Sequence, residues 1–155
     1  MSEVFRQYMM TFLMAMVPVA ELRAAIPVGI AMDLHPWLVL IFAVLGNMLP
    51  VPFIMLFVRR IVSWLNTKQG VLKKAGTFLE EKAEKASNLF YKYELWGLLI
   101  LVALPIPGTG AWTGALVAAM LKIRFKAAIP IIFAGVVIAG FIMLSLSVGV
   151  GAIFS

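Results

Sequence analysis

The chain has 155 residues, 63% of them hydrophobic and 13% charged, with a formal net charge of +6. Soluble domains average roughly 45–50% apolar and about a quarter charged, so this composition is that of an integral membrane protein. The absence of Cys excludes disulfides and thiolate chemistry, and the single His35 leaves little for a metal site or a Ser-His-Asp triad, so no metal, cofactor or enzymatic activity is expected.

The first apolar stretch, Val4–Met32, reads as structure rather than as a signal peptide. Glu3 weakens a basic n-region, and apolar character continues to Met32 without a small-residue cleavage site. Pro18 and Pro27 divide this stretch, and Glu21 and Arg23 lie between them. The linker Asp33-Leu34-His35 carries no Lys or Arg. The second stretch, Trp37–Val58, is bracketed by Trp37 and Trp64, as an aromatic belt would be, and contains Asn47 ahead of Pro50 and Pro52, where a kink is expected. Residues 66–94 form a connector in which Thr77 and Glu80 make a capping-box pattern. Apolar residues then recur near helical spacing, with Lys82, Lys85 and Lys92 interspersed, so an amphipathic helix on an anionic lipid surface competes with a solvated linker. The third stretch, Leu95–Leu121, is broken by Pro105, Pro107, Gly108 and Gly110; the fourth, Ala127–Phe154, is long enough to cross. Each half of the third stretch, and Leu22–Met32 likewise, makes only roughly 15 Å of helix, about half the hydrocarbon thickness.

Charge decides between broken crossings and hairpins that dip in and return. Arg59, Arg60 and the lysines of the connector put that segment in the cytoplasm. A crossing third stretch would place Lys122, Arg124 and Lys126 outside, whereas a hairpin keeps both basic clusters inside and both termini outside. The halves also match. Val17-Pro18-Val19 resembles Leu104-Pro105-Ile106, Met32 matches Met120, and Phe53-Ile54-Met55-Leu56 recurs as Phe141-Ile142-Met143-Leu144. The expected fold is an all-α integral membrane protein forming one membrane domain. It is an inverted repeat (residues 4–65 and 95–155), each half a re-entrant helical hairpin plus one transmembrane helix, joined by a cytoplasmic amphipathic helix at 66–94.

Ionisable groups within lipid-embedded segments point to a pathway. Glu21 and Arg23, two residues apart, would not face each other on a continuous helix, but near a break they can converge. A carboxyl in a low-dielectric site suits proton exchange, and the planar guanidinium suits phosphate or carboxylate. The alternatives are a structural ion pair or a snorkelling Arg23. Gly108, Thr109 and Gly110 precede a half-helix whose backbone N–H groups could meet an anion, or they simply allow a tight turn. Trp112 can gate or stack, or be buried structure; Thr113 continues the motif. Asn47 bonds substrate or bridges helices. Pro27, Pro105 and Pro107 complete the candidate site.

Glu21-Leu22-Arg23-Ala24-Ala25-Ile26-Pro27-Val28-Gly29 and Pro105-Ile106-Pro107-Gly108-Thr109-Gly110-Ala111-Trp112-Thr113-Gly114 together resemble the small multidrug export protein family over most of the chain. The chain is also distantly similar to the DedA membrane-protein superfamily, whose members carry an acidic residue and Pro/Gly motifs in paired re-entrant hairpins. That resemblance implies proton-linked transport or translocation of lipid, including carrier-lipid phosphates; this chain is shorter, and only Lys122, Arg124 and Lys126 stand where a second basic motif is sought. The expectation is a multi-pass, proton-coupled transporter of a small polar, charged or amphipathic substrate in a bacterial or archaeal plasma membrane. Anionic lipid and a second copy of the chain, most simply as a dimer, are the expected partners, and nucleic acid is not. The rivals are a DedA-like lipid translocase, a non-transporting adaptor working through its basic helix, and a four-crossing multidrug pump with one essential carboxylate.

Overall fold

A computed structural model describes residues 2–67, 74, 77, 93–106 and 109–154, and every regular element among them is helical. Glu80, Lys82, Lys85 and Lys92 of the predicted connector helix, and Pro107 and Gly108 of the second break, lie outside the described residues. In chain order the helices are α1 (Glu3–Met16), α2 (Glu21–Ala31), α3 (Pro36–Met48), α4 (Pro50–Thr67), α5 (Glu94–Ala103), α6 (Ala111–Met120) and α7 (Phe125–Phe154). Among the described residues, two helical spans, Pro36–Trp64 (α3 with most of α4) and Phe125–Phe154, are long and apolar enough to cross a bilayer.

Local chemistry sets the boundaries. The Ser2 side chain accepts the Phe5 N–H and caps α1. Proline forces the residue before it out of helical geometry, and accordingly Val17 before Pro18 and Leu104 before Pro105 are both extended, ending α1 and α5. Pro27, expected to divide the first stretch, does not: α2 runs through it. A proline here removes one backbone bond, to the carbonyl of Arg23, and the remaining turns and packing carry the helix onward. Leu49, between α3 and α4, keeps helical dihedrals (φ −57°, ψ −47°) and its N–H bonds the Leu45 carbonyl, so the backbone stays helical from α3 into Pro50.

One pattern occurs twice. At the end of α2 the N–H groups of Met32, Asp33 and Leu34 return to Val28, Ile30 and Gly29, with Asp33 left-handed (φ 57°). At the end of α6 those of Leu121, Lys122 and Ile123 return to Val117, Ala119 and Ala118, with Lys122 left-handed (φ 55°). Glycines repeat as well. A Cβ on Gly46 of α3 would strike the Phe12 carbonyl and Ala15 of α1, and a Cβ on Gly135 of α7 would strike the Leu99 carbonyl and Val102 of α5. These two close approaches hold the first helix of each pair against the long helix that follows, which is where α1 with α3 and α5 with α7 pack most extensively.

The spacing between equivalent positions is 87 residues before the breaks (Phe12 to Leu99) and 89 after them (Asp33 to Lys122), so the second break is two residues longer. The sequence matches Met32–Met120 and Phe53–Phe141 are therefore one residue out of register, a rotation of about 100° on a helix. Runs of similar apolar residues hide such a slip.

Pairs α1–α2 and α5–α6 both double back. At the open end of the first pair the Tyr8 hydroxyl accepts the His35 N–H at 3.1 Å, so early α1 sits beside the α2–α3 loop. α2 packs on α3 and α7, and α6 on α4 and α7, which brings the two breaks face to face in the bundle centre.

Candidate functional site

Glu21 opens α2 in a left-handed conformation (φ 48°), its N–H held by the Val17 carbonyl at 2.8 Å. That turn swings the side chain off the face a continuous helix would give it. The residue is 5% exposed, and its Oε1 accepts the Trp112 N–H at 3.4 Å, in the first turn of α6. Gly110, the N-cap of α6, offers no side chain and adopts φ 153°; a Cβ there would overlap the Glu21 carboxylate. The carboxylate thus takes the place of a capping residue at the positive end of α6, where unpaired N–H groups favour an acceptor.

Arg23, two residues on, reaches the other side of the same break. Its guanidinium donates to the carbonyls of Ile106 and Leu104, the latter at 2.9 Å, and to the Thr109 hydroxyl at 2.9 Å. Leu104 is the C-cap of α5, so a cation stands at the negative end of that helix. The Thr109 oxygen also lies 2.9 Å from the Leu104 and Ile106 carbonyls, to one of which its single proton is donated. Among the described residues no ion pair joins Glu21 to Arg23. Each is spent on one end of the opposite half's broken helix.

The exchange is reciprocal. Trp112 Nε1 donates to the carbonyl of Met16, the last residue of α1, at 3.0 Å. Both breaks are therefore capped from across the centre by residues of the other half.

Around this knot lie three spaces. A pocket of about 530 Å³ is lined by the polar residues Glu21, Arg23, Thr109 and Thr113 together with Pro18, Val19, Ala20 and Ala24. Behind it, a void too small for water lies between Glu21, Gly110, Asn47 and Val136. Asn47 is 1% exposed and its Oδ1 has no hydrogen-bond partner. On the far side of Trp112, an apolar groove of about 670 Å³ runs along Phe53, Phe57 and Leu49, with Arg60 at its edge.

Of the candidate residues, Glu21, Arg23, Thr109, Gly110, Trp112 and Thr113 come together here, and Asn47 stands directly behind them. Pro105 lies between two carbonyls bonded by Arg23 but not on a pocket wall. Pro27 lines a separate apolar recess between α2 and the later part of α7. Among the described residues no group of three or more His, Cys, Asp or Glu gathers to hold a metal ion, at Glu21 or elsewhere. Sequence reasoning missed the acceptors themselves, because backbone carbonyls of Met16, Leu104 and Ile106 carry no residue signature. It also missed Arg59, whose guanidinium donates to the Ile123 carbonyl between Lys122 and Arg124.

No significant match was found among curated proteins or solved structures. A family profile described as "Putative small multi-drug export protein" matches residues 21–142, a span that starts on Glu21 just after the first break and includes Arg23, Asn47 and the whole second break. The chain, an all-helical membrane protein built around two facing broken helices, belongs to that small multidrug export protein family.

Proposed function

We propose that the chain is a small proton-coupled transporter that moves a polar, charged or amphipathic substrate across a bacterial or archaeal plasma membrane. Its path runs through two re-entrant hairpins related as an inverted repeat. The observation that carries this reading is the pocket where Glu21 and Arg23 meet the broken ends of α5 and α6 in a bundle whose core is largely apolar. Ionisable groups and interrupted helices at membrane depth are costly, and they persist where they line a pathway.

Two facts support hairpins that enter and return. The helices α1, α2, α5 and α6 have 14, 11, 10 and 10 residues. At 1.5 Å per residue each reaches about 15–21 Å, short of the roughly 30 Å hydrocarbon core. Arg59, midway along α4, bonds Ile123 in the α6–α7 loop, so the two basic clusters lie beside each other, as the positive-inside rule requires of a shared cytoplasmic face. On this reading Glu21 takes up and releases the proton, while Arg23, Thr109 and Thr113 hold the polar part of the substrate. Two spanning helices enclose little, so a homodimer or larger assembly completes the path.

Purified protein in liposomes tests this with an imposed pH gradient. Glu21→Gln abolishes pH-driven flux while the protein still elutes as a folded species; unchanged flux removes Glu21 from the mechanism. A second reading, lipid translocation, is favoured by the apolar groove beside Trp112 with Arg60 at its edge, dimensions and chemistry that suit an acyl chain below an anionic headgroup. Faster flip of a fluorescent lipid with no uptake of soluble cations selects that reading over the first.

A further inference from the structure

Two acceptor-bearing side chains line the narrow void behind the knot, and among the described residues the Trp112 N–H is the one donor that reaches either of them. One is the Glu21 carboxyl, whose Oε2 presses against Gly110 and whose Oε1 receives a single long bond from Trp112. The other is Asn47 Oδ1, buried and without a partner. Arg23 does not resolve the deficit, because its guanidinium is turned to the carbonyls of Leu104 and Ile106 and the Thr109 hydroxyl. Unmet acceptors in a dry site are costly, and two that converge on one space repel each other. The space is too small for a water molecule, its lining holds no carboxylate, His or Cys besides Glu21, and no group of three such residues occurs among the described residues, so a hydrated or multiply coordinated cation does not fit. With Asn47 presenting Oδ1 to the carboxyl, what fits is a proton on Glu21.

We infer that in this conformation Glu21 is protonated and that Asn47 Oδ1 accepts the carboxyl hydrogen, which makes Asn47 the positioning residue for the coupled proton. The inference deepens the transport reading and rests on it for the word coupled, but protonation itself stands on the geometry. The groups around Glu21 leave few rivals. On its own helix Arg23 is the charged neighbour; α3 contributes Asn47, α6 contributes Gly110 and Ala111, α7 contributes Val136 and Ala139, and none of these can titrate. Position 136 stands 89 residues after position 47, so the equivalent place in the second half carries Val where the first carries Asn. The acceptor is present only on the side of the void that the carboxyl needs.

The test is pH-difference infrared spectroscopy on the full chain in lipid nanodiscs, scanned between about pH 5 and about pH 9. A protonated-carboxyl band that disappears in Glu21→Gln is expected. In Asn47→Leu, which removes the acceptor at similar volume, that band moves to higher frequency, and the ratio of protonated to ionised Glu21 at fixed pH falls about fivefold, the worth of one ordinary hydrogen bond. Asn47→Ser, which keeps an oxygen acceptor, lies between the two and serves if Asn47→Leu does not fold. Absence of any Glu21 band overturns the inference, as does a band that neither Asn47 variant moves. Exchange of choline for sodium at constant pH leaves the band intact; its loss on adding sodium overturns the proton in favour of a metal cation. The spectrum does not depend on flux. A band without pH-driven transport therefore sinks the transport reading alone, and transport without a band sinks only this inference.

Discussion

Arg23 bridges three acceptors on one broken segment, and that bridge has a measurable strength. Arg23→Lys keeps the positive charge but replaces a planar fork with a compact ammonium, which cannot span the Leu104 and Ile106 carbonyls and the Thr109 hydroxyl at once. One acceptor stays satisfied by the lysine and one carbonyl by the Thr109 proton. About one acceptor is left unmet, at about 1–3 kcal/mol, so the expected loss of stability is about 2 kcal/mol. Thr109→Val alone removes both a receiver of the Arg23 bond and a donor to a carbonyl, at about 1 kcal/mol. The two should not add. In Thr109→Val the carbonyls depend on Arg23 entirely, so the double variant loses more than the sum, with a coupling of about 1 kcal/mol. Reversible unfolding of the four proteins in mixed detergent micelles, followed by tryptophan fluorescence, measures the cycle. Additivity within about 0.5 kcal/mol, or an Arg23→Lys protein as stable as the parent, refutes the claim that the guanidinium holds the second break together.

Three other outcomes follow from particular contacts. Gly110→Ala places a Cβ on the Glu21 carboxylate at φ 153°, and the strain costs about 1–3 kcal/mol in the same unfolding assay; adding Glu21→Ala recovers the clash but not the backbone term, so full recovery contradicts the geometry. Gly46→Ala meets backbone at Phe12, which cannot swing aside, and loses about 1–3 kcal/mol, whereas Gly97→Ala, with open space at its Cβ, is neutral or slightly stabilising; equal effects at both sites refute the α1–α3 contact. Because the chain has no Cys, single replacements at the exposed positions His35 and Arg124 report sidedness without background: an impermeant maleimide added to intact cells labels His35→Cys and spares Arg124→Cys, and labelling of Arg124→Cys ends the re-entrant reading.

What the residues announced was the interruption of helices, because proline acts on its own backbone and on the residue before it. Both breaks and the ends of α5 and α6 fall within a residue of where Pro18, Pro105 and Gly110 put them. Pro27 misled for the same reason: its local effect is real, one lost bond, but a helix packed on α1, α3 and α7 tolerates it. The sequence matches after the break sit one position off the recurring loop turns and glycine contacts, since a two-residue difference in loop length lies where apolar patterning gives no register. The knot was only half legible. That Glu21 and Arg23 matter could be argued from the cost of charge in lipid, and placing them near each other was an obvious guess. Their partners are the N–H of Trp112 and the carbonyls of Leu104 and Ile106, more than eighty residues away. Nothing in a sequence marks which carbonyl a helix end has left open.

The two halves share a backbone plan and divide the chemistry between them. The first supplies the acid, the base and the amide, Glu21, Arg23 and Asn47; the second supplies the open helix ends that bind the first two, and Trp112, whose indole binds back. Neither break can therefore be separated from the other without exposing a guanidinium, two carbonyls and the end of α1 in the same instant. In a lipid-surrounded bundle those groups stay unmet unless something polar enters. Parting of the two breaks is thus tied to wetting of the pocket between them by water or another polar group, since a dry opening leaves these groups unmet.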